Sequence, residues 1–263
     1  MAVAEVQPNE VERAGASPDS LLIDPTTTIV KRGRSALIVK ASLRLSDRET
    51  RTAYKQFGSK TLLRRLARGL QPSRVARNFR LGHEFLRRGI ATARPLLAAI
   101  PRWRAILQPG FLATEWIEGA APVDVFVRKT AGLESTQRQA ILRETAECAG
   151  RLVGTLHAHG FAHRDLKATN LLARERNERV EVFVIDLDGA SSPWLLTRRT
   201  RMNNLARLVV ATQELSGITH AVRRRALGAY LASVPDPAPW KAVWRELHEI
   251  SRIRRARKTA RGK

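Results

Sequence analysis

Eleven residues constrain this chain more than any others: Gly160-Phe-Ala-His-Arg-Asp-Leu-Lys-Ala-Thr-Asn170, followed after an apolar run by Val184-Ile-Asp-Leu-Asp-Gly189. They put a carboxylate (Asp165), an ammonium (Lys167) and a carboxamide (Asn170) into one short loop, with a second carboxylate (Asp186) just beyond a strand pattern. That set suits phosphoryl transfer. The reaction needs an acceptor hydroxyl oriented and relieved of its proton, a cation near the migrating group, and oxygen ligands for the metal that neutralises nucleotide phosphates. Asp165 is the candidate base, Lys167 the candidate cation, and Asn170 with Asp186 the candidate metal ligands.

Composition narrows the setting. The 263 residues suffice for one compact unit or two small ones. A formal charge of +23, from 47 basic against 24 acidic residues, calls for a polyanionic partner. Nucleic acid, an anionic membrane face and a phosphorylated glycolipid all satisfy it, so charge alone does not choose. The single cysteine, Cys148, cannot form an internal disulfide, which points to a reducing compartment. The first twenty residues lack the basic start and apolar run of a signal peptide, and no run of 18 apolar residues reads as a membrane span. The expected location is cytoplasmic.

Along the chain, residues 1–20 are polar and aperiodic and read as a flexible terminus. Residues 29–45 read as two β-runs about a turn at Gly33 and Arg34, either a seat for a nucleotide phosphate or an ordinary hairpin. Residues 50–57 read as a third strand with Ala53, Lys55 and Phe57 on one face. A lysine on a buried face wants an anion, which an α/β-phosphate supplies, so Lys55 is a candidate nucleotide ligand. Between residues 60 and 104, twelve bases stand against one acid, Glu84, and apolar spacing predicts two short helices separated by Gln71-Pro72-Ser73. Residues 135–159 carry a wide apolar stripe and predict a helix entering the central loop. Residues 171–173 and 180–185 read as a hairpin about the polar stretch 174–179, which returns Asp186 to Asn170. His163 is expected as a packing post for the loop; His157, His159 and His163 lack the fourth ligand of a tetrahedral metal set. Helical patterns follow at 201–215, 221–231 and 240–253. The tail is basic at seven of its last thirteen residues, either a membrane-docking or a solvated end.

The order His-Arg-Asp-Leu-Lys-x-x-Asn resembles the protein-kinase catalytic loop, and Ile-Asp-Leu-Asp-Gly the metal-binding Asp motif after it. With the short segment after Ala190 and the stretch Leu86-Arg-Arg-Gly-Ile-Ala-Thr-Ala-Arg-Pro95, the chain resembles the lipopolysaccharide kinase family, which phosphorylates Kdo or heptose sugars of the lipid A core. The resemblance implies an α+β, protein-kinase-like bilobal fold, with a small β-rich N-lobe at 21–117, a short helical C-lobe at 118–250 and a basic tail at 251–263. It implies ATP with Mg2+ or Mn2+. It also implies a hinge at Thr114 to Gly119, where the backbone of Glu115 and Ile117 meets adenine. Asp124 then holds a ribose hydroxyl or caps the next helix. A kinase helix carries a Glu against the Lys55 position, yet the place for it holds Asn78. Glu84 is the nearest acid, six residues on, and faces Lys55 only if the helix breaks, as at Gly82.

The implied partners are a lipid-linked sugar and the anionic inner membrane surface; nucleic acid is not expected. Two other readings stay open. An atypical RIO-like Ser/Thr protein kinase is favoured by Lys167, whereas the missing activation segment favours a small or lipid-linked acceptor. A nucleotide- or nucleic-acid-binding pseudokinase would fit the charge, but it would be free to lose Asp165, Asn170 and Asp186.

Overall fold

A computed structural model describes residues 1–6, 9, 27–33, 36–45, 48–57, 74–99, 102–103, 106–107, 110–235 and 237–260, with 102–103, 106–107 and 258 as backbone only. These fall into two compact units, residues 1–87 with 93–118, and residues 88–92 with 119–263.

The first unit is built on an antiparallel sheet in the order β1-β2-β3-β7-β4: β1 Thr28–Arg32, β2 Ala36–Leu45, β3 Arg48–Phe57, β4 Pro95–Ala99 and β7 Phe111–Glu115. Two-residue strands β5 Arg102–Trp103 and β6 Ile106–Leu107 pair between β4 and β7 in sequence. Alternation along the strands divides the side chains between two faces. One face carries Val39, Leu43, Tyr54, Leu97 and Phe111. The other carries Phe57, Ala98 and Leu112 against Val75 and Phe79 of helix α1, Arg74–Arg87. Each large apolar side chain so buried contributes about 1.5–3 kcal/mol. The helix runs unbroken through Gly82, which is buried. The first of the two helices expected between 60 and 104 lies outside the described residues. Met1 to Val6, expected as part of a flexible terminus, dock on β4, where the Val3 N–H donates to Leu96 O at 2.9 Å and Val6 is buried. An apolar Val at positions 3 and 6 supplies what an otherwise polar stretch lacks.

The second unit begins with β8 Ala121–Pro122 and helix α2 Val123–Lys129. The long helix α3, Ser135–Ala158, follows, its first turn capped by the Glu134 carboxylate, which accepts from the amides of Thr136 and Gln137 at 2.9 and 3.1 Å. Its end is a Schellman motif: Gly160 at φ 76 lets Phe161 N–H reach Leu156 O and Gly160 N–H reach His157 O. That glycine turns the chain directly into β9, Ala162–His163. β10 Leu171–Arg176 and β11 Arg179–Val184 form a hairpin longer than the sequence predicts. The turn is only Asn177-Glu178, at φ 50 and 58, and the polar residues flanking it are strand. β12, Ala190–Ser191, pairs with β9. Helices α4 Arg198–Thr212, α5 His220–Leu231 and α6 Trp240–Ala260 complete the unit. The basic tail is helix as far as Ala260, anchored where Ser251 is buried and Arg254 donates to Asn203 of α4 at 2.8 Å, while Arg252, Arg255 and Arg257 are exposed to solvent.

Candidate active site

The β9–β12 pairing and the β10–β11 hairpin fold residues 163–189 back on themselves. Arg164 N–H donates to Gly189 O at 2.8 Å, and Ile185 N–H to Asn170 O at 2.9 Å. Between these ties the loop projects its polar side chains. Asn170 is the organiser: its Nδ2 donates to the backbone oxygen of Asp165 at 2.8 Å and to Asp165 Oδ2 at 3.1 Å. Lys167 Nζ lies 2.9 Å from the same carboxylate oxygen. Burial pushes the Asp165 carboxyl up, but Lys167, Asn170 and His163 outweigh it and hold it below the usual carboxylate range. The carboxylate is thus ionised and ready to accept a proton at neutral pH.

Asp186, directly after the hairpin, sits half-buried in the left-handed region at φ 59, ψ 56. A non-glycine residue there is held by its surroundings, and here the ties of Ile185 and Gly189 on either side hold it. The donor set fits a hard divalent cation. With Asn170 Nδ2 committed to Asp165, its Oδ1 is the oxygen left for a cation, and the Ile185–Asn170 bond ties the residue before Asp186 to it.

Beneath the loop, His163 is fully buried. Its ring lies so close to Gly189 that a Cβ there would approach Cε1 to 2.7 Å, so only glycine admits the ring. Burial lowers the imidazole pKa, opposed by Asp186 and by the Ile185 and Asp186 backbone. His163 thus packs as a post beneath the loop, and among the described residues no group of three His, Cys, Asp or Glu side chains that could hold a metal occurs. The residue that sequence reasoning missed is Asn204 of α4, whose Oδ1 accepts the His163 N–H at 2.8 Å and lies 3.3 Å from His157 Nε2. Nothing local marks it, since its partner is 41 residues away. Thr92, whose hydroxyl donates to Val184 O at 2.7 Å, was missed for the same reason.

In the first unit Lys55 is half-buried on β3, with Nζ 5.0 Å from the centre of the Phe57 ring on the same face. Glu84 of the unbroken α1 pairs with Arg87 one turn on. The break at Gly82 that would have turned Glu84 around is not there. The Gly33 amide closes the β1–β2 hairpin on Ala36 O at 3.0 Å, which fits an ordinary hairpin and takes that amide from a phosphate. Glu115 and Trp116 spend their amides on Arg94 O and Arg51 O, at 2.8 and 2.9 Å. Among the described residues no backbone bond takes the Ile117 amide.

Asp124 does not cap α2. Pro122 holds the cap position without a side-chain bond, and Asp124 lies within the first turn, 2.7 Å from Arg128. Its other oxygen, Oδ1, is buried with no hydrogen-bond partner among the described residues. A buried lone acceptor of this kind suits a donated hydroxyl.

Residues 30–230 match the lipopolysaccharide kinase (Kdo/WaaP) family. The chain belongs to that family. It is therefore a kinase, and its fold is protein-kinase-like, with a β-rich N-terminal sheet and a helical C-terminal part. Among solved structures it is similar to WaaP in complex with acyl carrier protein, with a TM-score of 0.65 and 18% identity, over 98% of this chain and 99% of that one. No curated protein matches it in sequence. In the Kdo/WaaP chain no helix among the described residues is long and apolar enough to cross a membrane.

Proposed function

We propose that this Kdo/WaaP-family kinase transfers the terminal phosphoryl group of ATP to a Kdo or heptose hydroxyl of the lipopolysaccharide core. The observation that carries this reading is the cluster of Asp165, Lys167 and Asn170 within 3.1 Å of one another's polar atoms, tied to Asp186 by the Asn170–Ile185 bond. Asp165 orients the acceptor hydroxyl and takes its proton. Lys167, now 2.9 Å from Asp165, stands where it can turn its charge to the migrating phosphoryl oxygens. Asn170 and Asp186 hold Mg2+ or Mn2+, which supplies neutralisation of the nucleotide phosphates. Lys55 meets the α- and β-phosphates, the Ile117 amide with the Glu115 carbonyl meets adenine, and the lone Oδ1 of Asp124 takes a ribose hydroxyl. The basic residues of α4 and α6 suit work at an anionic inner membrane surface, each basic group there being worth about 1 kcal/mol. Mass spectrometry of the lipid A core from cells with and without the protein tests the reading: loss of one core phosphate without it is expected, and an unchanged core contradicts it.

A carrier-protein partner is also proposed. The similar WaaP was solved in complex with acyl carrier protein, and the observation favouring such a partner here is a cavity of about 140 Å³ walled by Leu142, Leu205, Val209, Leu227 and Leu247. Arg223 and Ser251 also line it, with Nε and Oγ lacking hydrogen-bond partners among the described residues. An acyl chain fits the apolar wall, and its polar attachment the lone donors. Native mass spectrometry is expected to retain acylated but not unacylated carrier protein; equal retention of both contradicts it.

A further inference from the structure

Trp194 is completely exposed, at 104% of the reference area, and Leu195 beside it is 70% exposed. A lone apolar side chain on a surface needs no explanation, but an adjacent pair with the Trp wholly and the Leu mostly in water does. Their setting is ordered at both ends. On one side Ala190 and Ser191 pair with His163 and Ala162. On the other, Thr197 caps α4 by accepting from Thr200 N–H at 3.2 Å, and Arg198 donates to Glu246 of α6 at 2.7 Å. The segment between is too short to fold its apolar side chains back under itself, so Trp194 and Leu195 stay outside.

The flanks carry the second observation. From Ser191 to Arg201 there is no acid, and Arg198, Arg199 and Arg201 follow the apolar pair within seven residues of Trp194. Exposed Trp and Leu followed by arginines is the pattern of a side-chain wedge at a lipid interface: the indole and the leucine enter the headgroup boundary and the exposed Arg199, beside the Glu246-paired Arg198, meets phosphates. We propose that residues 192–199 form a membrane-insertion wedge for an anionic phospholipid bilayer. The wedge leaves the strand that pairs with His163, two residues before Asp165. Trp194 is four residues from Ala190, at most about 14 Å along the chain. Insertion therefore holds the catalytic loop at the bilayer surface, where a lipid-linked acceptor presents its sugar; this consequence rests on the proposed acceptor, whereas the insertion itself does not.

The test uses the full chain with vesicles of phosphatidylcholine and phosphatidylglycerol, read by flotation, alongside turnover on a soluble, delipidated core sugar. Wild type is expected to float with the vesicles, and the Trp194→Ala/Leu195→Ala variant to bind at least about tenfold more weakly, with turnover on the soluble sugar unchanged. In vesicles with brominated acyl chains, wild-type fluorescence is expected to be quenched more than that of Trp194→Phe. Equal flotation of both proteins, or no quenching assignable to Trp194, overturns the wedge. Loss of soluble-sugar turnover in the double variant overturns it too, since the pair would then belong to an acceptor or protein contact. Failure of wild type to phosphorylate any core sugar, with flotation as expected, sinks the acceptor reading and leaves the wedge standing.

Discussion

A single carboxamide oxygen, Oδ1 of Asn204, serves two histidines: it accepts the His163 amide at 2.8 Å and faces His157 Nε2 at 3.3 Å. Because that oxygen only accepts, the His157 proton resides on Nε2, and Nδ1 then accepts from the Tyr230 hydroxyl at 3.1 Å. The neutral ring is satisfied on both sides, whereas a charged ring would be a buried cation. Burial accordingly lowers the His157 pKa from 6.5 to about 4, outweighing the Asn204 hydrogen bond. Because the folded value lies below the unfolded one, the contribution to stability is complete above about pH 6.5 and is lost as pH falls from there through about 4, by on the order of 3 kcal/mol. Denaturant unfolding of wild type and His157→Gln should therefore give a stability gap that narrows between pH 7 and pH 5. A gap independent of pH would show that the imidazole is not buried in its neutral form. This support under the loop at 163–170 was not legible in the sequence, where His157 and Tyr230 are simply members of two helical stripes, 73 residues apart. The loop itself was legible because its chemistry is local: Asp165, Lys167 and Asn170 meet within six residues.

At the scale of elements, α3 and α5 touch through glycine. A Cβ on Gly150 would lie 2.1 Å from Ala226 O, and one on Gly154 2.8 Å from Tyr230 O. Backbone cannot swing aside as a flexible side chain can, so Gly150→Ala is expected to destabilise by about 1–3 kcal/mol although alanine is the better helix former. Gly228→Ala, on the α5 interior with nothing within 4 Å, is expected to stabilise by about 0.5–1 kcal/mol. Thermal unfolding of both variants checks the signs, and two shifts in the same direction would contradict the close approach. The stripe of α3 could be read from residues alone, since Ile141, Leu142, Ala149, Leu152, Val153 and Leu156 repeat at helical spacing and are buried. The β10–β11 strands and the end of α6 could not. Arg174 and Glu181 satisfy each other across the hairpin at 2.5 Å, and Arg254 reaches Asn203, so polar residues that look like loop or tail are paired and ordered. Local composition carries no trace of such cross-chain partners.

For the molecule as a whole, the decisive property is the pairing of a kinase loop with a charge of +23. The Arg-rich α4 and α6 give this family member the sign of charge that an anionic glycolipid attracts. The fold follows from sequence features spread over the chain, while the identity of the acceptor sugar lies in contacts that no short motif encodes. The central claim is that Asp165 drives phosphoryl transfer to a lipopolysaccharide core sugar. Its most direct measurement is incubation of the purified protein with ATP, Mg2+ and dephosphorylated core, followed by mass spectrometry of the core. The account predicts the gain of one phosphoryl group on a Kdo or heptose residue, slowed about 10²- to 10⁴-fold by Asp165→Ala while ATP binding persists. No gain with wild type, or an equal gain with Asp165→Ala, would contradict it.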